Sequence, residues 1–423
     1  MIEHMFAHDA GSVLGVVALD EALDQRDRWL PPGAGEVPLA RVAARGWHAL
    51  TDLLLPVLVL KEQALAHNLD LMARFCRASG VSLAPHGKTT MSPQLIARQL
   101  DAGAWGVTAA SPAQARLFRG FGVDRIVLAN QVVDPVGLEW LAGESGHVYC
   151  LVDSLRAVEL MDAGLAGRGP VPVLVEMGLA GGRTGCRTLE EGRRVAEAVG
   201  RSRSLRLAGV ESFEGVVSEP GERVDGVLRD VRALAESLGR DGAFDGLDEV
   251  LVTAGGSSFF DRVVHHLGGG WNLGRPVRVV LRSGCYLTHD HGSYERLSPF
   301  GGRLPDWEPL RQAMEVWGLV HSRPEPDLAI VGFGKRDVSY DMGLPRPLTV
   351  RRRDGSVRPA SGLEVFRLND QHAYLRLPAD DDLSVGDAVG CGLAHPCTVF
   401  DKWRSIAVVD EDYRVLGAVR TYF

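Results

Sequence analysis

Two short segments, far apart in the chain, carry the residue types best suited to chemistry. One is PHGKTTMSPQL, whose lysine is Lys88, and the other is AHPCTVFDKW, which places His395 and Cys397 on either side of one proline. A lysine amine can hold an aldehyde as an imine, whereas imidazole and thiolate are soft metal ligands. The pair therefore indicates an enzyme that uses two electrophiles in one site.

The context of Lys88 favours a reactive amine over an ordinary surface charge. Lys88 lies between Gly87 and two threonines, just after the predicted strand VSLAP, and has no acidic neighbour in sequence. Partial desolvation favours the neutral, nucleophilic amine. The alternative is a solvated lysine, which is the usual fate of this residue type.

Two glycine-rich turns follow predicted strands. In TAGGSSFFD, the backbone amides at Gly255 and Gly256, with the hydroxyl of Ser257, could cradle a phosphate. In GGRTG, Arg183 could donate to an oxyanion or to a cofactor hydroxyl. The alternatives are a simple turn at Gly255 and a helix start with a solvated arginine at Arg183.

The His395 and Cys397 pair is a candidate metal site. The segment is predicted to be extended, so alternation should direct both side chains to the same face. Two protein ligands with water would leave coordination positions open for a substrate, although histidine and cysteine are also common core residues. A third protein ligand is not visible from the spacing.

Composition limits the class of protein. The chain is 45% hydrophobic and, at 423 residues, too long for one ordinary core, so two domains are predicted. The net charge of −8 gives no reason to expect nucleic acid or an anionic membrane as partner. The six cysteines are scattered, and residues 1–30 lack a basic start followed by an apolar core. We therefore expect a reduced, cytoplasmic protein.

The order of predicted elements gives the architecture. Between residues 56 and 290, apolar strand-like runs alternate with amphipathic stretches, beginning with VLVL and EQALAHNLDLMARFCRASG. Polar turns at many strand ends favour a (β/α)₈ barrel over an open doubly wound sheet. After residue 300, short alternating runs predict an antiparallel β-domain. The predicted divisions are a barrel over 51–300, a β-domain over 301–423, and an extension over 1–50 packed on the β-domain.

From about residue 50 to the C-terminus, the motifs resemble a known family. PHGKTTMSPQL, GGRTG, TAGGSS, RSGCYLTHD and HPCTVFDKW stand in the order seen in the D-serine dehydratase and D-threonine aldolase group of pyridoxal phosphate (PLP) enzymes. This group has the alanine-racemase type of fold, a PLP-binding barrel followed by a β-domain. The resemblance implies PLP bound through Lys88, with zinc on His395 and Cys397. It also implies cofactor contacts from the following residues: Arg183, Gly255, Gly256, Ser257 and Tyr286.

The resemblance also implies a reaction. It is the elimination of water from D-serine or a related D-3-hydroxy amino acid, which gives a 2-oxo acid and ammonia, with Lys88 as the base at the α-carbon. The aldolase branch has an aspartate where Cys397 stands, so the cysteine points to the dehydratase branch. D-threonine aldolase, a racemase and a non-catalytic PLP carrier remain alternatives, and relatives are usually homodimers.

Overall fold

The protein has two large β-sheets, and a computed structural model describes residues 21–144, 146–217 and 220–423. The described N-terminal part holds a two-stranded ribbon, strands β1 (Ala22–Leu23) and β2 (Val37–Pro38), followed by short 3₁₀ turns. Strand β3 (Val57–Lys61) and helix α1 (Glu62–Ala78) come next. Within the described part, no helix is both long and apolar enough to cross a membrane.

Eight parallel strands form a nearly closed barrel, as the alternating pattern predicts. They are β4 (Ser82–Leu83), β5 (Val107–Ala109), β6 (Ile126–Gln131), β7 (Val148–Val152), β8 (Val171–Met177), β9 (Leu205–Ser212), β10 (Val250–Ala254) and β11 (Val277–Leu281). The first and second strands approach each other, and Trp105 N donates to Leu83 O at 2.7 Å. Small and branched side chains from these strands fill the interior: Ala84, Val127, Leu151, Leu174, Ala208, Leu251 and Val280.

Helices follow the barrel strands. They are α2 (Pro93–Asp101), α3 (Pro112–Gly120), α4 (Pro135–Gly143), α5 (Leu155–Leu165), α6 (Leu189–Arg201), α7 (Glu222–Arg240), α8 (Phe260–Leu267) and the short α9 (Ser293–Leu297). Four starts are fixed by capping side chains that accept a backbone N–H: Ser111, Asp134, Ser154 and Thr188. These caps end the strand-to-helix loops at defined residues.

The second sheet has ten strands and is antiparallel except at one pair. It contains β3 and β12 (Met314–Glu325), β13 (Leu328–Val331), β14 (Arg346–Arg351), β15 (Val357–Pro359), β16 (Glu364–Leu368), β17 (Ala373–Arg376), β18 (Ala388–Gly392), β19 (Ser405–Val409) and β20 (Val415–Arg420). Helix α10 (Cys397–Phe400) lies between β18 and β19. The parallel pair is β3 with β19.

The prediction that VLVL forms the first barrel strand is wrong. This segment is β3, which pairs with β12 and β19 in the second sheet, with Leu60 opposite Met314 and Val59 opposite Ala407. All five residues of β3 are buried, so the run has the apolar character of any central strand and does not specify its sheet. The predicted domain limits at residues 50 and 300 stay predictions.

The described part of the N-terminal extension contacts the second sheet. Trp29 Nε1 donates to Ser405 O at 3.1 Å, and Arg420 Nη1 donates to Asp27 Oδ1 at 2.6 Å. Ala49 N donates to the Tyr413 carbonyl at 2.8 Å. Residues 1–20 lie outside the described residues.

Helix α1 packs against the barrel through an aromatic cluster. The Phe75 ring lies 5.2 Å from Phe260 and from Phe300 and 5.3 Å from Trp307, centroid to centroid. Phe75 is almost fully buried. The cluster joins α1 to α8 and to the chain that leads into the second sheet.

We predict that Phe75→Ala lowers the free energy of unfolding by about 3–5 kcal/mol, because it empties the centre of this cluster. Phe423→Ala is the matched control, since that ring is 57% exposed, and its effect should stay within about 0.5 kcal/mol. Equilibrium denaturation by urea measures both. Equal effects of the two substitutions would contradict a supporting role for Phe75.

Candidate active site

A cavity opens at the carboxyl ends of the barrel strands. Seven of the eight predicted site residues line it: Lys88, Arg183, Gly255, Gly256, Ser257, His395 and Cys397. They come from four separate stretches of sequence, which the barrel and the second sheet bring together. Tyr286 is not among them.

Lys88 lies in a 3₁₀ turn, Gly87–Thr89, directly after the first barrel strand. The last barrel strand approaches this turn closely at Gly284, where a Cβ would lie 2.7 Å from His86 O and from Thr89 Oγ1. Only glycine fits there, so the turn and the chain after β11 pack backbone to backbone. The half-buried Lys88 side chain is thereby held at the cavity, and the other three lysines of the chain do not line it.

His86 brings a neutral imidazole to the cavity wall. Burial, together with the positive charges of Lys88, Arg282 and Arg183, holds the pKa of His86 well below its usual value. Its Nδ1 atom is buried and has no hydrogen-bond partner within the described chain. A neutral ring with a free polar atom is suited to contact a flat, polar cofactor ring.

The turn predicted to hold a phosphate is occupied in part by a carboxylate. Gly255 N and Gly256 N donate to Glu214 Oε2 and Oε1 at 3.0 and 2.9 Å, and Gly255 has φ +104°, a conformation that favours glycine. Burial raises the pKa of Glu214, and the two amides oppose that rise. The amides of Ser257 and Ser258 donate to no protein group in the described chain, so these amides are available to an anion.

Arg183 lies in a long loop that is held by hydrogen bonds of the residues next to it. Arg187 Nη1 donates to the Thr184 carbonyl at 2.6 Å, and Thr184 Oγ1 donates to Glu176 Oε1 at 2.6 Å. The Arg183 guanidinium lies over the Phe213 ring, 4.5 Å from its centroid. The loop thus holds a cation at the cavity edge, in reach of solvent.

A second arginine, Arg282, lies beneath the cavity and is fully engaged. It donates to Thr253 Oγ1 at 2.8 Å and to Ser212 O at 2.9 Å, and it forms a buried ion pair with Glu211. Burial raises the pKa of Glu211 to about 8, and the Arg282 charge opposes the rise. Lys88 and Arg183 are therefore the cations of the cavity lining that no carboxylate of the described chain pairs.

Tyr286 does not lie where the family resemblance would put it. Its ring is 1% exposed, its hydroxyl accepts from Gln99 Nε2 at 3.1 Å, and it lines a different cavity beside Cys76. Its neighbour Cys285 lines the active-site cavity instead. These two consecutive residues therefore line different cavities.

The prediction that the His395 segment is extended is wrong. His395 has φ +49°, and helix α10 begins at Cys397. The backbone turn is fixed by Asp290, whose Oδ2 accepts from His395 N at 3.2 Å while Oδ1 accepts from Gly292 N at 3.0 Å. The two candidate ligands still line the same cavity, through a turn and not through strand alternation.

A carboxylate orients the His395 imidazole. His395 Nδ1 lies 2.5 Å from Asp341 Oδ2, and Thr398 Oγ1 donates to Asp341 Oδ1 at 3.0 Å. With Nδ1 bound to a carboxylate, Nε2 is left as the nitrogen that can bind a metal. Such a carboxylate–histidine pair is a common support of a metal ligand.

Cys397 has a second thiol beside it. Its Sγ lies 3.6 Å from Cys285 Sγ and 3.5 Å from Thr89 Oγ1. Hydrogen bonds from Cys285 and His395 hold the pKa of Cys397 well below its usual value, and the bond to Cys397, with Asp341, raises the pKa of His395 to about 9. These donors suit zinc, although no three His, Cys, Asp or Glu side chains in the described ranges already surround one point.

Several cavity or supporting residues were not predicted: His86, Phe213, Glu214, Cys285, Asp290, Tyr294 and Asp341. His86 lies in PHGKTTMSPQL, two residues before Lys88, and Cys285 lies in RSGCYLTHD, directly before Tyr286. Asp341 lies in a segment without a motif, and only the fold brings it to His395.

Comparison with known proteins identifies two domains in the expected order. Residues 60–266 match "Alanine racemase, N-terminal domain", and residues 313–409 match "Putative serine dehydratase domain". A D-threonine aldolase from Arthrobacter sp is 24% identical over 391 residues, which are 90% of this chain and 92% of the relative.

Solved structures share the whole architecture. D-threonine aldolase from Filomicrobium marinum is 27% identical, with a TM-score of 0.72 over 88% of this chain and 96% of its own. D-threo-3-hydroxyaspartate dehydratase from Delftia sp. HT23 is 21% identical, with a TM-score of 0.69 over 89% and 99%. These relatives are named for aldolase and dehydratase activities, both of which are lyase activities. The chain has the alanine-racemase-like fold, and it is similar over most of its length to these aldolases and dehydratases, as its motifs predict.

Proposed function

We propose that this protein is a PLP- and zinc-dependent lyase that eliminates water from D-serine or a related D-3-hydroxy amino acid. The observation that carries the proposal is the convergence of Lys88, His395 and Cys397 on one cavity. PLP would supply an electron sink for charge at the α-carbon, and zinc would supply a Lewis acid for the β-hydroxyl. Small-molecule substrates, a homodimer and a cytoplasmic location are part of the proposal.

The cofactor would be held by the residues that face the cavity. Lys88 Nζ would bind its aldehyde carbon, the free amides at Ser257 and Ser258 would donate to its phosphate, and Arg183 would donate to its ring oxygen. His86, neutral and with a free Nδ1, would lie against its ring system. Each of these contacts uses a group that has no hydrogen-bond partner among the described residues.

Lys88 would then act a second time. Once free of the cofactor, the Lys88 amine would be a neutral base beside the α-carbon and would take the α-proton. His395 and Cys397 would hold the metal that receives the β-hydroxyl. Elimination across Cα and Cβ releases water, and hydrolysis of the product gives a 2-oxo acid and ammonia.

D-threonine aldolase activity is the second candidate, because relatives with that name cover most of this chain. The same cavity could serve it if the β-hydroxyl lost its proton and the Cα–Cβ bond broke, giving glycine and an aldehyde. Cys397, where the aldolase branch carries aspartate, favours elimination.

A homodimer is supported by an exposed apolar rim around Asp341, the carboxylate that contacts His395. Three large apolar side chains close to Asp341 are exposed: Tyr340 (49%), Met342 (44%) and Leu344 (39%). Neighbouring apolar groups on a surface mark contact sites. They would be covered if a second subunit packed against this rim.

The chain has only four lysines, so the cofactor link can be located directly. Borohydride reduction in the presence of PLP, followed by peptide mapping, should place the pyridoxyl group on Lys88. Lys88→Arg should lose the label and reduce kcat by at least about 10²-fold. Lys402→Arg is the control, since this lysine lies beside Asp401, and it should keep the label on Lys88 and the wild-type kcat. Label on another lysine in the wild-type protein would refute the assignment.

We expect Asp341→Asn to weaken zinc binding by roughly 10–100-fold, because His395 loses the carboxylate that orients it. Competition with a chromophoric chelator measures the affinity. Asp370→Asn is the control, since that exposed carboxylate lies 3.8 Å from Arg336 Nε. The zinc affinity of this variant should equal that of the wild type. An unchanged affinity in Asp341→Asn would show that the carboxylate does not support a metal ligand.

Product analysis tests the proposed reaction itself. With PLP and zinc, D-serine should give pyruvate and ammonia, and D-threonine should give 2-oxobutyrate, with both reactions lost on chelation. Cys397→Ala should keep the PLP absorbance while losing at least about 10²-fold in elimination rate, because a metal ligand is removed. Glycine and acetaldehyde from D-threonine would instead establish the aldolase. Full turnover without metal would exclude the zinc role.

A further inference from the structure

We infer that Cys285 is a second thiolate ligand of the metal held by His395 and Cys397. The inference rests on the proposed function, since it concerns the metal of that site. Cys285 follows the last barrel strand, whereas Cys397 lies between β18 and β19 of the second sheet. The two cysteines meet only in the folded chain, so their spacing in the sequence does not reveal the pair.

The distance between the sulfurs carries the argument. Cys285 Sγ lies 3.6 Å from Cys397 Sγ. Two thiolates on a tetrahedral zinc ion, each about 2.3 Å from the metal, are about 3.8 Å apart. The two sulfurs therefore already have the spacing that a shared zinc ion requires.

The surroundings of Cys285 favour a ligand over a buried core thiol. Cys285 lines the same cavity as His395 and Cys397, and its sulfur has Thr89 Oγ1 at 3.8 Å as a weak partner. Its backbone is fixed, because Cys285 N donates to Ser257 Oγ at 3.1 Å. The thiol is thus held at the cavity by its main chain.

The ligand count also agrees with a catalytic metal. Zinc sites that perform chemistry have three protein ligands and one open position, and two cysteines with one histidine form a known set of this kind. His395 and Cys397 alone leave this set one ligand short. The three side chains do not yet surround one point, so a side-chain rotation must complete the set when the metal enters.

Cobalt(II) in place of zinc provides a test that does not depend on activity. Thiolate ligands give cobalt an intense charge-transfer absorption whose strength follows their number. With a phosphine reductant present, the wild-type protein should show the absorption of two thiolates. Cys285→Ser and Cys285→Ala should each fall to that of one thiolate, as should Cys397→Ser. Cys76→Ser, on helix α1, is the control and should match the wild type.

Zinc affinity and X-ray absorption complete the test. Cys285→Ala should lose more than the roughly 10–100-fold expected for a residue that only supports a ligand. Zinc-edge absorption of the unaltered protein should count two sulfur neighbours at about 2.3 Å. One sulfur neighbour, with unchanged absorption in the Cys285 variants, would overturn the inference and leave the proposed function intact. No bound cobalt or zinc in the wild type would refute both.

Discussion

The cavity depends on one buried carboxylate that ties the second sheet to the mouth of the barrel. Asp290 Oδ1 accepts three amides at the start of α9, from Gly292, Tyr294 and Glu295, and Oδ2 accepts His395 N. Charge-assisted bonds of this type are strong when shielded from water, and Asp290 is 2% exposed. Asp290 therefore fixes the His395 turn against the segment that follows the last barrel strand.

The cavity contains two kinds of charged group, those paired within the protein and those left free. Glu214 and Arg282 are each satisfied by several donors or acceptors, so they hold the walls in place and remain unavailable to a ligand. Lys88 and Arg183 carry charge toward open space. Buried charges that are paired within the protein, behind a few free groups, keep a site rigid while leaving it reactive.

Much of this site could be predicted from the sequence because its chemistry is local. Lys88, Arg183 and the Gly255 turn each follow a strand, and parallel strands in a barrel bring their carboxyl ends together. For Cys285 and Tyr286 the sequence is not sufficient, because a short irregular segment gives no phase for deciding which of two consecutive side chains faces the cavity. Strand β3 was assigned to the wrong sheet because a run buried on both faces fits either one.

Asp341 and Asp290 could not have been predicted for a different reason. Their partners lie 54 and 105 residues away, and a single carboxylate in a polar loop has no pattern that separates it from surface charge. The same holds for Cys285, whose partner thiol is 112 residues distant. Such pairs form only in the tertiary structure, and the spacing of the residues along the chain does not predict them.

The pairing of β3 with β12 and β19 has a consequence for biosynthesis. Because β3 precedes the whole barrel and its partners follow it, the second sheet is split between the two ends of the chain. Contacts this distant in sequence close late, since the entropy of a long loop opposes them until other structure has formed. A nascent chain on the ribosome can complete its barrel strands first, but β3 must wait for the C-terminal strands to emerge. His395 and Cys397 lie between two of those strands, so the cavity is complete only after this part of the chain has emerged.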